Sequence, residues 1–418
     1  MALPRIVRVF GAVNIGSFRI SAMVLGQSES GELIVLGSGH RASQGVRRGY
    51  IVDMAAATYA IRDVIERAEK AAGTGIQSVW VGCSGASLEN TVSRVEVDIG
   101  GRRIEEEDVQ HLLVAARETI RPDGKMVLHA QPAQYTLDGA HGASDPKGLH
   151  AERLGVDIHV MLADGAPVRN IRDAVENAHL SVEAVVAAPV ACAEGCLGPE
   201  ERELGTALVE IGSELTTVSI FERGMLRALH TIPMGSGDIT DAIAGAFGIR
   251  RFQAERLKCV AGSAIASPSD HREMIPLEAP VEGAPEGERV SRAELVTVVT
   301  EQLARLTDEI GRVFKAHDFG GARGGQVVLT GGGAELAGIA EFTQGALGRP
   351  VRIGRPAHLR GLPDGHASPG FSTLAGLCLY AARDPVDIRS VSDTRQKTIR
   401  YSGLGLVRRV LQASRDYF

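Results

Sequence analysis

The sequence predicts an α/β fold of two related lobes, with a small α+β module inserted into the first. One observation behind this is the run Ala207 to Phe221, ALVEIGSELTTVSIF, which reads as an apolar strand, a tight turn at Gly212-Ser213-Glu214 and a β-branched return strand. A second is its earlier echo, Phe10 to Leu25, FGAVNIGSFRISAMVL, in which Asn14-Ile15-Gly16-Ser17 matches Glu210-Ile211-Gly212-Ser213. Each copy runs on to a further glycine pair, Gly37-Ser38-Gly39 and Gly235-Ser236-Gly237, both expected as turns. The third is a change of texture after residue 83, where the core pattern breaks off and resumes at about residue 164. Two related halves are the economical reading.

In chain order, residues 1 to 53 read as three strands, and Met54 to Ala72 as a helix with Ile61, Val64, Ile65 and Ala68 on one side. Gln77 to Cys83 is a short buried strand. The inserted module follows: a β stretch from Ser87 to Ile99, a helix from about Glu105 to Ile120, the strand MVLHAQPAQYTLDG and a last strand from Arg153 to Met161. The acids Glu105 to Asp108 suit the positive end of that helix better than a metal. Pro167 opens a helix to about His179, and Val182 to Ala188 is a strand followed by a loop. Beyond the central hairpin, Asp238 to Phe247 and Phe252 to Lys258 are helical, and 263 to 290 is a loop-and-strand excursion. Ser291 and Glu294 form a capping box before a long amphipathic helix. Gln326 to Thr330 is a buried strand ending on Gly331-Gly332-Gly333, with a helix through Leu347 after it.

At 418 residues, 44% hydrophobic and 23% charged, the chain suits a folded body of several subdomains. A net charge of −6 gives no electrostatic case for nucleic acid. The cysteines Cys83, Cys192, Cys196, Cys259 and Cys378 form no disulfide or zinc ladder and are expected as buried thiols. The N-terminus alternates Arg5 and Arg8 with apolar residues, unlike a signal peptide, and nowhere do about 18 apolar residues run together. Membrane contact, if any, is expected to be peripheral.

Hairpin turns like those at 14 to 19 and 210 to 217 can aim backbone N–H groups and Ser or Thr hydroxyls into a shared cleft, where they would hold phosphate oxygens. The glycine turn at 331 to 333 lets backbone approach a ligand closely.

These residues resemble the superfamily of actin, sugar kinases and heat-shock chaperone ATPases, with its ribonuclease H-like core, and within it the bacterial cell-division family FtsA. The resemblance covers nearly the whole chain. Its specific pieces are the first hairpin, VLHAQPAQYTLDG with Asp145-Pro146-Lys147-Gly148-Leu149, and Glu200 to Gly212. Others are Ile232-Pro233 to Lys258, VVLTGGGAELAGI at 327 to 339, and the late helix Phe371 to Leu377. The place of the inserted module discriminates FtsA from actin, kinases and chaperones.

The resemblance implies an ATP site with magnesium between two lobes. Asn14, Gly16, Ser17, Phe18 and Arg19 would face Glu210, Gly212, Ser213, Glu214 and Thr216 across the phosphates. Gly235, Gly237, Asp238, Glu255, Lys258, Gly331, Gly332 and Gly333 would surround the sugar and base, and Glu210 would reach the magnesium. The chain departs from the pattern where Asn14 replaces an acid, Arg19 a lysine, Glu210 an aspartate, and Ser213 and Glu214 small glycines. Ala188-Pro189-Val190-Ala191 offers no general base, and Glu194 is the nearest carboxylate, expected to be solvated. A nucleotide-binding adaptor, at most a weak ATPase, fits better than a phosphotransferase, with a true ATPase or kinase and a nucleotide-free scaffold such as a pilus-assembly protein as alternatives.

Arg383 to Arg400 reads as a polar linker before SGLGLVRRVLQASRDYF. On a helix, Leu404, Val407, Val410, Leu411, Tyr417 and Phe418 gather on one side and Arg408, Arg409 and Arg415 on the other, a membrane-surface pattern. The family resemblance implies tethering of FtsZ filaments to anionic lipids on the cytoplasmic face of the inner membrane. It also implies self-association and contact with other divisome proteins during septation. The expected organisation is 1–83 with 164–203 as the first lobe and 84–163 as the inserted subdomain. The second lobe is 204–237 with 319–386, topped by an upper subdomain at 238–318 that would meet FtsZ, and 387–402 and 403–418 are linker and membrane helix.

Overall fold

The computed structural model describes residues 5–85, 87–143, 145–277, 288–320 and 325–391. The first half opens with β1 (Ile6–Ile15), β2 (Arg19–Ser28) and β3 (Leu33–Ala42), then the small hairpin β4 (Val46–Arg47) and β5 (Tyr50–Ile51), α1 (Met54–Ala72) and β6 (Ser78–Cys83). The stretch after residue 83 holds β7 (Glu89–Asp98), α2 (Glu106–Thr119), β8 (Met126–Leu137), β9 (Ala140–Ala143) and β10 (Arg153–Ala163), in a four-stranded sheet of order β7-β10-β8-β9. Next come α3 (Gly165–Glu176), β11 (Ser181–Ala187), α4 (Ala188–Cys196) and α5 (Pro199–Leu204). The second half contains β12 (Thr206–Ile211), β13 (Thr216–Glu222), β14 (Met225–Ile232), α6 (Ser236–Phe247), α7 (Arg251–Ala261), β15 (Met274–Pro276), β16 (Arg289–Ser291) and α8 (Arg292–Ala316). It closes with β17 (Gln326–Thr330), α9 (Ile339–Leu347), β18 (Val351–Ile353) and α10 (Ser372–Arg383).

The duplication is visible in the topology. One five-stranded sheet has order β11-β6-β1-β2-β3 and the other, in the reverse direction, β14-β13-β12-β17-β18. In each, three antiparallel strands in sequence are extended beyond the first by two parallel strands. Alternation along β1 and β2 sends Val13, Ile15, Ile20, Ala22 and Val24 to the face covered by α1 and α3, and Phe10, Ala12, Met23 and Leu25 to the face covered by α10. Every one of these is buried, so both faces of this sheet are core.

Local chemistry fixes the helices. Asp53 accepts from the Ala56 N–H to start α1, and Gly73 ends it at φ 68°. Ser291 and Glu294 cap α8 reciprocally, at 3.3 and 3.0 Å. The pair Gly37 and Gly39 is not a turn: it lies within β3, where a Cβ on Gly37 would stand 2.3 Å from the Ala68 carbonyl oxygen of α1. Glycine there permits helix and strand backbones to touch. The loop expected after β11 is instead α4, buried along most of its length. It crosses α10 backbone to backbone, since a Cβ on Gly376 would lie 1.7 Å from the Ala191 oxygen and one on Gly195 2.3 Å from the Ser372 oxygen. Of the cysteines, Cys259 is exposed, contrary to expectation, and Cys196 is half-buried.

Two compact units are distinguished. The larger comprises 1–92, 121–131 and 159–385 and contains both five-stranded sheets. The smaller comprises, among the described residues, 93–120, 132–158 and 386–391. Within the smaller unit Arg94 grips the buried Asp157 through two hydrogen bonds at 2.6 and 2.9 Å. Residues 388–390, expected as linker, form a 3₁₀ turn with Ile388 fully buried, and Arg117 donates to the Val391 oxygen at 2.8 Å. The linker beyond, and the membrane helix expected at 403–418, lie outside the described residues.

Candidate functional site

The two hairpin loops have the same construction. Gly16 N–H donates to the Arg19 oxygen at 3.1 Å, and Gly212 N–H to the Leu215 oxygen at 2.8 Å, each closing a four-residue connection. That bond uses the glycine amide, whereas the N–H groups of Ser17, Phe18, Ser213 and Glu214 have no acceptor among the described residues. Unsatisfied amides on such loops can cradle an anion. Phe18 is 55% exposed at the tip of the first loop. Arg19 turns away: its Nη2 donates to the Gly370 oxygen at 2.8 Å, and its guanidinium stacks 3.7 Å from the centre of the Phe371 ring. Burial pushes the Arg19 guanidinium below its ordinary range, with Glu335 opposing.

Backbone converges on the second loop from two directions. Ser236 N–H donates to the Gly212 oxygen at 2.8 Å and Gly237 N–H to the Ser213 oxygen at 2.7 Å. A Cβ on Gly235 would sit 2.6 Å from the Gly212 oxygen, so a side chain is excluded. Asp238, third in α6, accepts from the Gly235 N–H at 2.7 Å and caps the helix, so Gly235-Ser236-Gly237, expected as a turn, opens α6 instead. From the other side Gly331, at φ 82°, brings backbone within 2.6 Å of the Ile211 oxygen measured from its Cβ position, and Gly333 packs on Ile211, while Gly332 faces open space. Lys258 points inward: its Nζ donates to the Ser236 oxygen at 3.0 Å, Thr240 Oγ1 at 2.8 Å and Glu255 Oε2 at 2.8 Å. Burial pushes the Glu255 carboxyl up, but hydrogen bonds from Lys258 and Thr240 outweigh it and hold Glu255 below its usual range. The pair therefore ties α6 to α7 and leaves Lys258 no free reach.

At the base of the hairpins, Thr373 in the first turn of α10 donates to Glu210 Oε1. Burial pushes the Glu210 carboxyl up and the Thr373 bond pulls it part of the way back. Asn14 Oδ1 and the Thr216 hydroxyl are buried without a hydrogen-bond partner. Such orphaned oxygens ask for a ligand, water or ion; Thr216, cross-strand from Ile211, lies on the opposite face of its sheet from Glu210, so the hard oxygen donors magnesium prefers come from Asn14 and Glu210. Those residues fit a magnesium carried in on phosphate; among the described residues no group of three or more His, Cys, Asp or Glu forms a metal site. Glu194 is not solvated, as it lies between Arg202 at 2.8 Å and Arg383 at 2.5 Å and serves packing.

Sequence reasoning gave Glu214 no partner in the fold. Its Oε2 accepts from the Arg48 N–H at 2.6 Å, from one half to the other. The adjacent Gly49 N–H donates to Ser17 Oγ at 3.2 Å. Arg251, raised above its ordinary range chiefly by its hydrogen bond to Asp241, is the cation whose field Glu214 shares.

The family model described as Cell division protein FtsA matches residues 207–376, and the SHS2 domain inserted in FtsA matches 85–162. The cell division protein FtsA of Agrobacterium fabrum is 33% identical over 394 residues, spanning 91% of this chain and 89% of that one. This chain belongs to the FtsA family. Another FtsA, from Rhizobium meliloti, is 35% identical over 350 residues, covering 83% of this chain and 78% of its own. That of Escherichia coli K12 is 29% identical over 381 residues, covering 88% and 89%. Among solved structures, the PilM-PilN type IV pilus biogenesis complex superposes with TM-score 0.61 at 16% identity, covering 89% of this chain and 98% of that one. MreB5 of Spiroplasma citri bound to ADP superposes with TM-score 0.55 at 14% identity, covering 90% and 97%. The fold of this FtsA-family chain is thus the actin-like two-lobe fold with an inserted subdomain. Among the described residues no helix is long and apolar enough to cross a membrane.

Proposed function

We propose that this FtsA-family chain binds ATP with magnesium between its two lobes and, in that state, anchors FtsZ filaments to anionic lipid on the cytoplasmic face of the inner membrane at the division site. The observation that carries the nucleotide reading is the pair of identically closed hairpin loops whose next amides are free. Neutral Asn14, a Glu210 whose burial favours its protonated form, and the absence of any carboxylate in the first turn of α4 support slow hydrolysis or none. The chain then acts as an adaptor whose nucleotide holds the lobes in one shape, self-associates, and joins other divisome proteins.

The anchoring reading rests on the sequence of 403–418. Burying its six apolar side chains contributes at most roughly 1.5 to 3 kcal/mol each, and each Arg near anionic lipid about 1 kcal/mol. Ordering the segment offsets much of this, so single-copy attachment is weak and self-association strengthens it by avidity. The test is co-pelleting with anionic liposomes and FtsZ polymers, with and without Mg·ATP. Full-length protein brings FtsZ down with the vesicles and the chain lacking 403–418 does not; equal pelleting by both would sink the anchoring role. Saturating Mg·ATP at a hundredfold excess over Kd should stabilise the fold by about 2.7 kcal/mol.

A further inference from the structure

The tip of the second hairpin loop reaches the first half at two points. The Glu214 carboxylate sits on the Arg48 amide, and the Leu215 Cδ1 lies 3.0 Å from where a Cβ of Gly85 would be. Arg48 and Gly49 form the two-residue turn between β4 and β5, at φ 48° and 77°, the left-handed pair that such hairpins require. Gly49 cannot be replaced there, since its Cβ would lie 1.8 Å from the Ser84 oxygen. The turn is therefore held rigidly, and its two successive amides are shared between the opposing loops, Arg48 N–H for Glu214 and Gly49 N–H for Ser17.

We propose that Glu214 is a specificity-determining residue: seated on the Arg48 amide, its carboxylate takes the place of a terminal phosphate. On this proposal, which rests on the nucleotide reading above, the cleft accepts a nucleoside diphosphate as it stands and a triphosphate only by displacing Glu214. An anion on the free Ser17 and Phe18 amides comes next to the Arg48 amide that Glu214 already uses. Carboxylate and phosphate seek the same donors and repel each other at short range. The facing cation, Arg251, donates to Asp241 at 2.6 Å and is already compensated.

Two measurements on the full chain test this. Calorimetric titration with Mg·ADP and Mg·ATP compares wild type with Glu214→Gln, which removes the charge and keeps the shape. The variant is expected to bind ATP about tenfold more tightly, the order expected from removing one repulsive charge, with ADP affinity nearly unchanged; an unchanged ATP-to-ADP ratio overturns the proposal. Hydrogen exchange of the 46–52 segment in ligand-free protein reports the Arg48 amide, which Glu214→Ala should deprotect, as should Mg·ATP but not Mg·ADP on wild type. Unaltered protection in Glu214→Ala overturns the contact itself. If neither nucleotide gives heat with either protein, the nucleotide reading fails and the displacement with it, and the exchange data show separately whether the contact exists.

Discussion

The Thr373 hydroxyl donates to the Glu210 carboxylate, joining the first turn of α10 to the central strand of the second sheet. Removing the donor leaves a buried carboxylate without it, at a cost of about 1 to 3 kcal/mol. Thr373→Val should lower stability in denaturant titration by that order, and Thr373→Ser should recover most of it. A loss in Thr373→Ser with none in Thr373→Val would mean that packing of the Thr373 methyl group, not the hydroxyl, matters.

Glu210 gives a pH signature. Burial raises its folded pKa above the unfolded value, so the folded state binds more protons in the interval between them and this group's contribution falls as pH rises through it. Glu210→Gln removes the ionisable group. The variant should melt higher than wild type at pH 8, with the gap narrowing as pH falls toward the ordinary carboxylate range; a gap independent of pH would contradict this.

His159 acts in the opposite sense. It is buried on β10 with Nε2 unpartnered, and burial pushes its pKa down to about 4. Stability from its neutral form is complete above the unfolded value near 6.5 and is lost as pH falls toward 4, worth about 3 kcal/mol in full. His159→Leu should flatten the acid limb of the stability profile between those values. A limb as steep as wild type would assign the acid sensitivity elsewhere.

The cradle glycines should differ sharply among themselves. Gly235→Ala drives a Cβ to 2.6 Å from the Gly212 oxygen and the Ser213 backbone, which cannot yield as a side-chain tip could. It should abolish stabilisation by Mg·ATP and cost roughly 2 kcal/mol or more. Gly332→Ala meets nothing within 4 Å and should stay within about 0.5 kcal/mol of wild type. Thermal shifts with and without nucleotide read both.

The duplication was legible because each half announces itself with a glycine turn between β-branched strands, and the long helix α8 because period and capping box agree. Other features were hidden for physical reasons. The segment Ala188–Cys196 is buried on most sides, so it carries no amphipathic period and read as loop. Gly37 and Gly39 looked like a turn, yet glycine there serves contact with α1, which depends on a neighbour in space. Lys258 looked available for a ligand; its i−3 partner Glu255 was visible, but Thr240 and the Ser236 oxygen come from another helix. The bond from Arg48 to Glu214 spans 166 positions and follows no local pattern.

The glycine contact between α4 and α10 sets which relative motion of those helices is cheap. With the Gly195 and Gly376 backbones pressed directly on each other's helix, no side chains lie between the axes to act as rollers. Translation of one helix along the other would drive the flanking side chains into backbone, while a small swivel about the contact point disturbs little else. α4 follows the last strand of the first sheet and α10 the last strand of the second, so the crossing works as a bearing, and rotation rather than sliding is the soft coordinate it leaves.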